Sequence, residues 1–274
     1  AGRTNLGLGT GNSPTFAGLT VAGNVSVDGG TIKLNGNYPV GTGNVALGDV
    51  ALSTLSNGAQ NTAIGNLAGA TTNAAYLTAV GYQAARYNTG DGNTAIGTNS
   101  LITAGGGTNN VAVGKDSLYS NTTASNNTAV GYQSAYSNTT GGQNTAIGYQ
   151  SLLDATTALY NTAVGYQAGS NITTGNANTA VGRMAFLTNT TGLSNSAIGN
   201  EALYSNTTGN KNAALGHYAL YSNTTASYNT AVGHQSLYDN TTGTGNNALG
   251  YQALANNTTA NYNTAFGHVA LSLN

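Results

Sequence analysis

One dipeptide, Ala-(apolar)-Gly, recurs through most of the chain and places glycines at 48, 65, 81, 97, 114, 131, 148, 165, 182, 199, 216, 233, 250 and 267. The spacings are 17, 16, 16 and then 17 ten times over. Positions are counted below from this repeat glycine, and the units are coils 1 to 14. The consensus reads Asn-Thr-Ala-Val-Gly-Tyr-Gln-Ala-Leu-Tyr-Ser-Asn-Thr-Thr, followed by three variable residues. A phase held for more than 200 residues implies stacked supersecondary units, each burying its apolar face against the next. The 40 Gly and the abundant Asn and Thr would by themselves suggest low-complexity disorder. The phase argues against that.

Seventeen residues are too few for a helix pair with its turns, and the helix-favouring Glu, Lys, Arg and Met are scarce. Two runs suit short strands: Thr-Ala-Val before the glycine and Tyr-Gln-Ala-Leu-Tyr after it. Gly at one corner and Asn-Thr-Thr at the other are turn chemistries. The expected fold is therefore all-β, a parallel β-solenoid of 14 coils spanning residues 44–274. Strands about 4.8 Å apart would make a rod of roughly 60–65 Å.

The columns carry the detail. All 14 copies have Ala at −2, and position −1 is aliphatic or aromatic throughout, from Leu47 to Phe266. Ala129-Val130-Gly131 and Ala146-Ile147-Gly148 are typical. Adjacent strand residues face opposite ways, so a strand apolar at both is expected to be buried on both faces. The coil would bury two bulky groups, at −1 and +4, and a second copy of the chain is the simplest cover for the outer face. Asn occupies −4 in 13 copies, including Asn127 and Asn144, with Leu77 the exception. In register, such amides form a ladder. The Asn-Thr-Thr turns at 121, 138, 189, 206, 223, 240 and 257 also read as N-glycosylation sequons, but as by-products of the repeat they are expected to be structural.

The signature Asn-x-Ala-(Val/Ile)-Gly-x-x-(Ala/Ser), in Asn127–Ser134, Asn144–Ser151 and Asn161–Ala168, resembles the head repeat of trimeric autotransporter adhesins. That resemblance implies a left-handed β-roll assembled as a homotrimer, here with 17 residues per unit against about 14 in those heads. Residues 5–23 are similar to segments of bacteriophage tail fibres. Residues 1–43 hold both prolines, Pro14 and Pro39, and read as a β connector to a preceding fibre shaft. The N-terminus has neither an initiator Met nor an apolar signal region, which suggests an excised or processed piece. Together the resemblances imply a virion tail-fibre element contacting other tail-fibre or baseplate proteins and a host-surface glycan or protein. The alternative is an adhesin head on a bacterial cell surface. An ice-binding solenoid is a lesser alternative, because the paired threonines sit in a turn rather than on a flat face.

Composition narrows the chemistry. Charged residues make up 5% of the chain, against roughly 25% in ordinary domains. The net charge of −1 gives no footprint for nucleic acid or anionic membrane. No apolar run is long enough to insert in a bilayer. The absence of Cys removes thiolate chemistry. A glycosidase needs two carboxylates roughly 5–10 Å apart. Asp28, Asp49, Asp91, Asp116, Asp154, Glu201 and Asp239 offer no such pair within one chain, so neither catalysis nor a cofactor is expected. His217 and His234 follow repeat glycines on consecutive coils and are a candidate metal pair. Most of the 17 Tyr fall at +1, +5 and −5. Tyr119, Tyr136, Tyr204, Tyr221 and Tyr238, at +5, are the candidate glycan contacts.

Overall fold

A computed structural model describes residues 42–103 and 105–273. The connector expected over residues 1–43 therefore lies outside the described residues, apart from its last two. Among the described residues there are 14 strands of three residues each, from β1 (Val45–Leu47) through β7 (Thr145–Ile147) to β14 (Thr264–Phe266), and no helix. Every strand pairs in parallel with its sequence neighbours in one sheet. The register follows the repeat, with Thr128 opposite Thr145, Ala129 opposite Ala146 and Val130 opposite Ile147. The two 16-residue units keep it as well, with Ala63 opposite Ala79 and Ala79 opposite Ala95. The chain is thus an all-β parallel solenoid of about 13 turns.

Each coil contains one strand, not two. The Tyr-Gln-Ala-Leu-Tyr run, read from sequence as a strand, is a string of turns. Positions +2 and +4 have positive φ in every coil, as at Gln150 (51°) and Leu152 (48°). Left-handed backbone costs a side-chain-bearing residue of order 1 kcal/mol, but here it aims successive N–H groups in opposite axial directions. Gln150 N–H donates to the Tyr132 carbonyl of the preceding coil (2.9 Å), and Leu152 N–H to the Ala168 carbonyl of the following one (3.1 Å). These bonds to both neighbours offset the strain and replace the expected second sheet.

The interior is narrow. Alanines at −2 point inward from the sheet and are buried, apart from partly buried Ala46. They meet the +4 residues, among which Leu118, Leu152, Leu203, Leu220, Leu237 and Leu254 are fully buried. A methyl opposite a leucine fills that space at crystal-like density, and two branched groups would overfill it. Where glycine replaces leucine, another group moves in. Beside Gly169, Ile172 reaches to 3.0 Å of where a Cβ would stand. The −1 side chains point away from the interior, contrary to the expectation that each coil buries both bulky groups. Leu47, Ile64, Ile96, Ile147, Ile198, Leu215 and Leu249 are 39–49% exposed.

Two asparagine columns tie the coils together. At −4, Asn144 N–H donates to Asn127 Oδ1 (2.8 Å) and Asn144 Nδ2 to the Ala158 carbonyl (2.7 Å). This column is a side-chain-to-backbone stitch, with only weaker amide-to-amide contacts such as Asn161 Nδ2 to Asn144 Oδ1 (3.3 Å). A true amide ladder runs at +7. Asn223 Nδ2 donates to Asn206 Oδ1 (2.7 Å), Asn240 to Asn223 (3.0 Å) and Asn257 to Asn240 (2.9 Å). These are the sequon asparagines. All seven are buried, so the folded chain does not present them to a glycosylating enzyme.

Candidate functional site

Three surfaces of the solenoid carry large apolar or aromatic groups. The first is the outer face of the sheet, where the −1 residues form one file from Leu47 to Phe266, flanked at −3 mostly by threonines. At its C-terminal end, Val232, Leu249 and Phe266 line a shallow groove with Thr230, Asn247 and Thr264. Coiling brings every −1 side chain to the same side, which makes the file continuous.

The second surface holds the +1 and +5 columns. Tyr119 stacks on Tyr136 with ring centres 4.9 Å apart and planes 14° from parallel. Tyr204, Tyr221 and Tyr238 form a three-ring stack at 5.1 and 5.2 Å. All five of these candidate glycan contacts are half-buried. Burial, with neighbouring phenols and Asp116, pushes the Tyr136 hydroxyl pKa above its ordinary value. Burial does the same at Tyr221, helped by Glu201 and the adjacent tyrosines. At +1, Tyr132, Tyr149 and Tyr166 stack at 5.4 and 5.1 Å. Farther along, His234, Tyr251 and His268 stack at 5.4 and 4.9 Å.

His217 and His234 are neighbours as the spacing predicts, with ring centres 5.2 Å apart and planes 65° apart. Their surroundings are aromatic rather than ligating. Among the described residues no three His, Cys, Asp or Glu side chains gather around a point where an ion could sit. The described carboxylates that have partners are spread among structural contacts. Asp91 accepts from Ala75 N–H (2.8 Å), Asp116 from Asn99 Nδ2 (3.0 Å), and Glu201 pairs with Arg183. Asp154 stands apart, its carboxyl pKa raised by partial burial.

The third surface is the −5 column, whose Tyr76, Tyr160, Tyr228 and Tyr262 are 58–82% exposed. Lys211 lies over the Tyr228 ring, 5.2 Å from its centre.

The residue that sequence reasoning passed over is Tyr218, at +2. Its ring lies 3.8 Å from His217, 5.3 Å from Tyr221, 6.0 Å from Tyr238 and 6.4 Å from His234. It joins the +1 and +5 columns into one aromatic cluster. The signal was present, since six other coils have Gln at +2 (83, 133, 150, 167, 235 and 252). Three of those glutamines form their own axial chain, Gln167 to Gln150 to Gln133, at 3.0 Å per link. Comparison with known protein families, curated proteins and solved structures finds no match to this chain.

Proposed function

We propose that this chain is a structural and host-attachment element of a phage tail fibre: a non-catalytic homotrimeric rod that presents a host-surface contact on its outer faces. The observation that supports it is the unbroken file of partly exposed Val, Ile, Leu and Phe side chains on the sheet's outer face. Covering such a side chain contributes roughly 0.5–1 kcal/mol per coil at the usual area coefficient. Over the whole file that reaches about 7–14 kcal/mol per chain, comparable with the freedom lost on association. In this reading the half-buried and exposed tyrosine columns make the contact with a cell surface. The similarity of residues 5–23 to tail-fibre segments supports the phage setting.

The repeat signature supports a second reading, the head of a trimeric autotransporter adhesin, which shares the rod and differs in its anchorage. Light scattering on the purified chain tests the assembly. A mass three times that of the chain is expected, and a stable folded monomer would refute it. Binding of the labelled rod to bacterial cells, with competition against phage adsorption, tests the attachment role. The full-length gene separates the two readings, a C-terminal chaperone favouring the fibre and a stalk with a barrel anchor favouring the adhesin.

A further inference from the structure

The tyrosine stacks differ in what they can offer a sugar. In an unbroken stack each ring's faces are turned toward its neighbours about 5 Å away, so edges and hydroxyls dominate the outer surface. Sugar recognition draws on open aromatic faces against C–H groups together with hydrogen-bonding groups beside them. Coils 11 and 12 depart from that pattern by one ring at +2, outside the axial stacks. The Tyr218 ring stands nearly perpendicular to Tyr221 (89°) and Tyr238 (82°) while lying against His217 at 26°. Rings of two orientations therefore meet in one patch. Beside them, the phenol hydroxyls of Tyr218, Tyr221 and Tyr238 and the imidazole rings of His217 and His234 bring hydrogen-bonding groups into the same patch.

Charge selects the class of glycan. Of the described cations, Arg183 is paired with Glu201, and Lys211 lies over the Tyr228 ring of the −5 column. No Lys or Arg belongs to the cluster, whereas Glu201 lies close enough to act on Tyr221. Such a surface disfavours a polyanion.

We propose that Tyr218, with His217, Tyr221, His234 and Tyr238 around it, forms a binding surface for a neutral oligosaccharide lying along the rod. The site rests on the attachment reading and gives it a location and a ligand class. The position tolerates a conservative test, because Tyr218→Gln restores the residue that six other coils have at the same positive φ. Tyr149→Asn is the control. It opens the Tyr132–Tyr149–Tyr166 stack with a residue that coils 2 and 10 have at +1, Asn66 and Asn200.

The probes are short oligomers of glucose, N-acetylglucosamine and mannose, with oligosialic acid as the anionic counterpart. Binding is read by calorimetry and by tyrosine fluorescence, which is undisturbed because the chain has no Trp. At least one neutral series is expected to bind. Tyr218→Gln should weaken it about tenfold or more, equal to about 1.4 kcal/mol, with circular dichroism and solution mass unchanged, and Tyr149→Asn should leave it intact. The site is overturned if no neutral series binds at millimolar concentration, if oligosialic acid is preferred, if Tyr218→Gln binds like the parent chain, or if Tyr149→Asn loses as much. Solution mass and cell binding are measured in parallel, so failure of this site is distinguishable from failure of the rod or of attachment.

Discussion

Replacing Gly148 by Ala tests the account of the stack directly, because two separate costs fall on it. Its φ is +133°, and an added Cβ would lie 2.3 Å from the Gly165 carbonyl oxygen and 2.7 Å from its carbon. Holding a side-chain-bearing residue in such a conformation costs about 1–3 kcal/mol. The clash is with backbone of the next coil, so relief means separating the coils. That adds about 1–3 kcal/mol of overpacking strain and weakens the bond from Gly165 N–H to the Ile147 carbonyl, 2.8 Å long. The expected loss is about 2–6 kcal/mol. Gly267 isolates the first cost: its φ is +129°, but the nearest atom to an added Cβ is the Ala270 methyl at 3.9 Å. Gly267→Ala should therefore cost about 1–3 kcal/mol. Gly106 carries neither burden, with nothing within 4 Å of an added Cβ, and Gly106→Ala should be neutral or stabilise by up to about 1 kcal/mol. Guanidinium unfolding followed by far-ultraviolet circular dichroism ranks the three. Because repeat stability is carried by nearest-neighbour interfaces, Gly148→Ala should also split the transition into two steps. Equal losses at Gly148 and Gly267, or a Gly148→Ala variant within about 1 kcal/mol of the parent, would refute the stacking argument.

Asn144→Leu should destabilise by about 2–4 kcal/mol, since the Asn161 N–H and the Ala158 carbonyl both lose a buried partner. Denaturant melts measure this, and a change below about 0.5 kcal/mol would make the column incidental. Under the proposed assembly, Ile147→Asp on the outer sheet face should leave the coil's dichroism intact while lowering the solution mass. A variant that assembles like the parent would place the interface elsewhere. The raised Tyr136 and Tyr221 hydroxyls predict an alkaline limit. Each stabilises fully below the unfolded-state value of 10.0, and that contribution is lost as pH rises from there through the higher folded value. Phenolate absorbance during alkaline titration should show late-ionising tyrosines, fewer in Tyr221→Phe. The raised Asp154 carboxyl has the same sign on the acid side. Asp154→Asn should remove a loss of stability that develops as pH rises through its folded value, and an unchanged stability–pH curve would count against it.

The solenoid, its parallel register and its single-file columns were legible because register is a periodic property and the −2 alanine and repeat glycine are present in every unit, the two 16-residue ones included. The second strand was misread for a physical reason. Tyr, frequent at +1 and +5, has high strand propensity, yet the backbone between those positions alternates through positive φ, which propensity does not record. Hints lay in the exceptions, Gly69 and Gly169 at +4 and Asn99 at +2, residue types that accept left-handed backbone readily. The same holds for the −1 column, where sequence showed that both strand faces are apolar and only the narrow coil decided which pointed inward. Uniform columns thus specify the fold, and every unit repeats the same statement. A site on such a solenoid has to be written in the departures, because a column identical in every coil cannot mark one place along the axis. Leu77 breaks the −4 stitch: its N–H donates to Asn61 Oδ1 (2.8 Å), but it has no side-chain acceptor to offer the next coil. Tyr218 is the departure that gains contacts, exchanging a glutamine link for four ring neighbours, and it lies where the two aromatic columns become one surface.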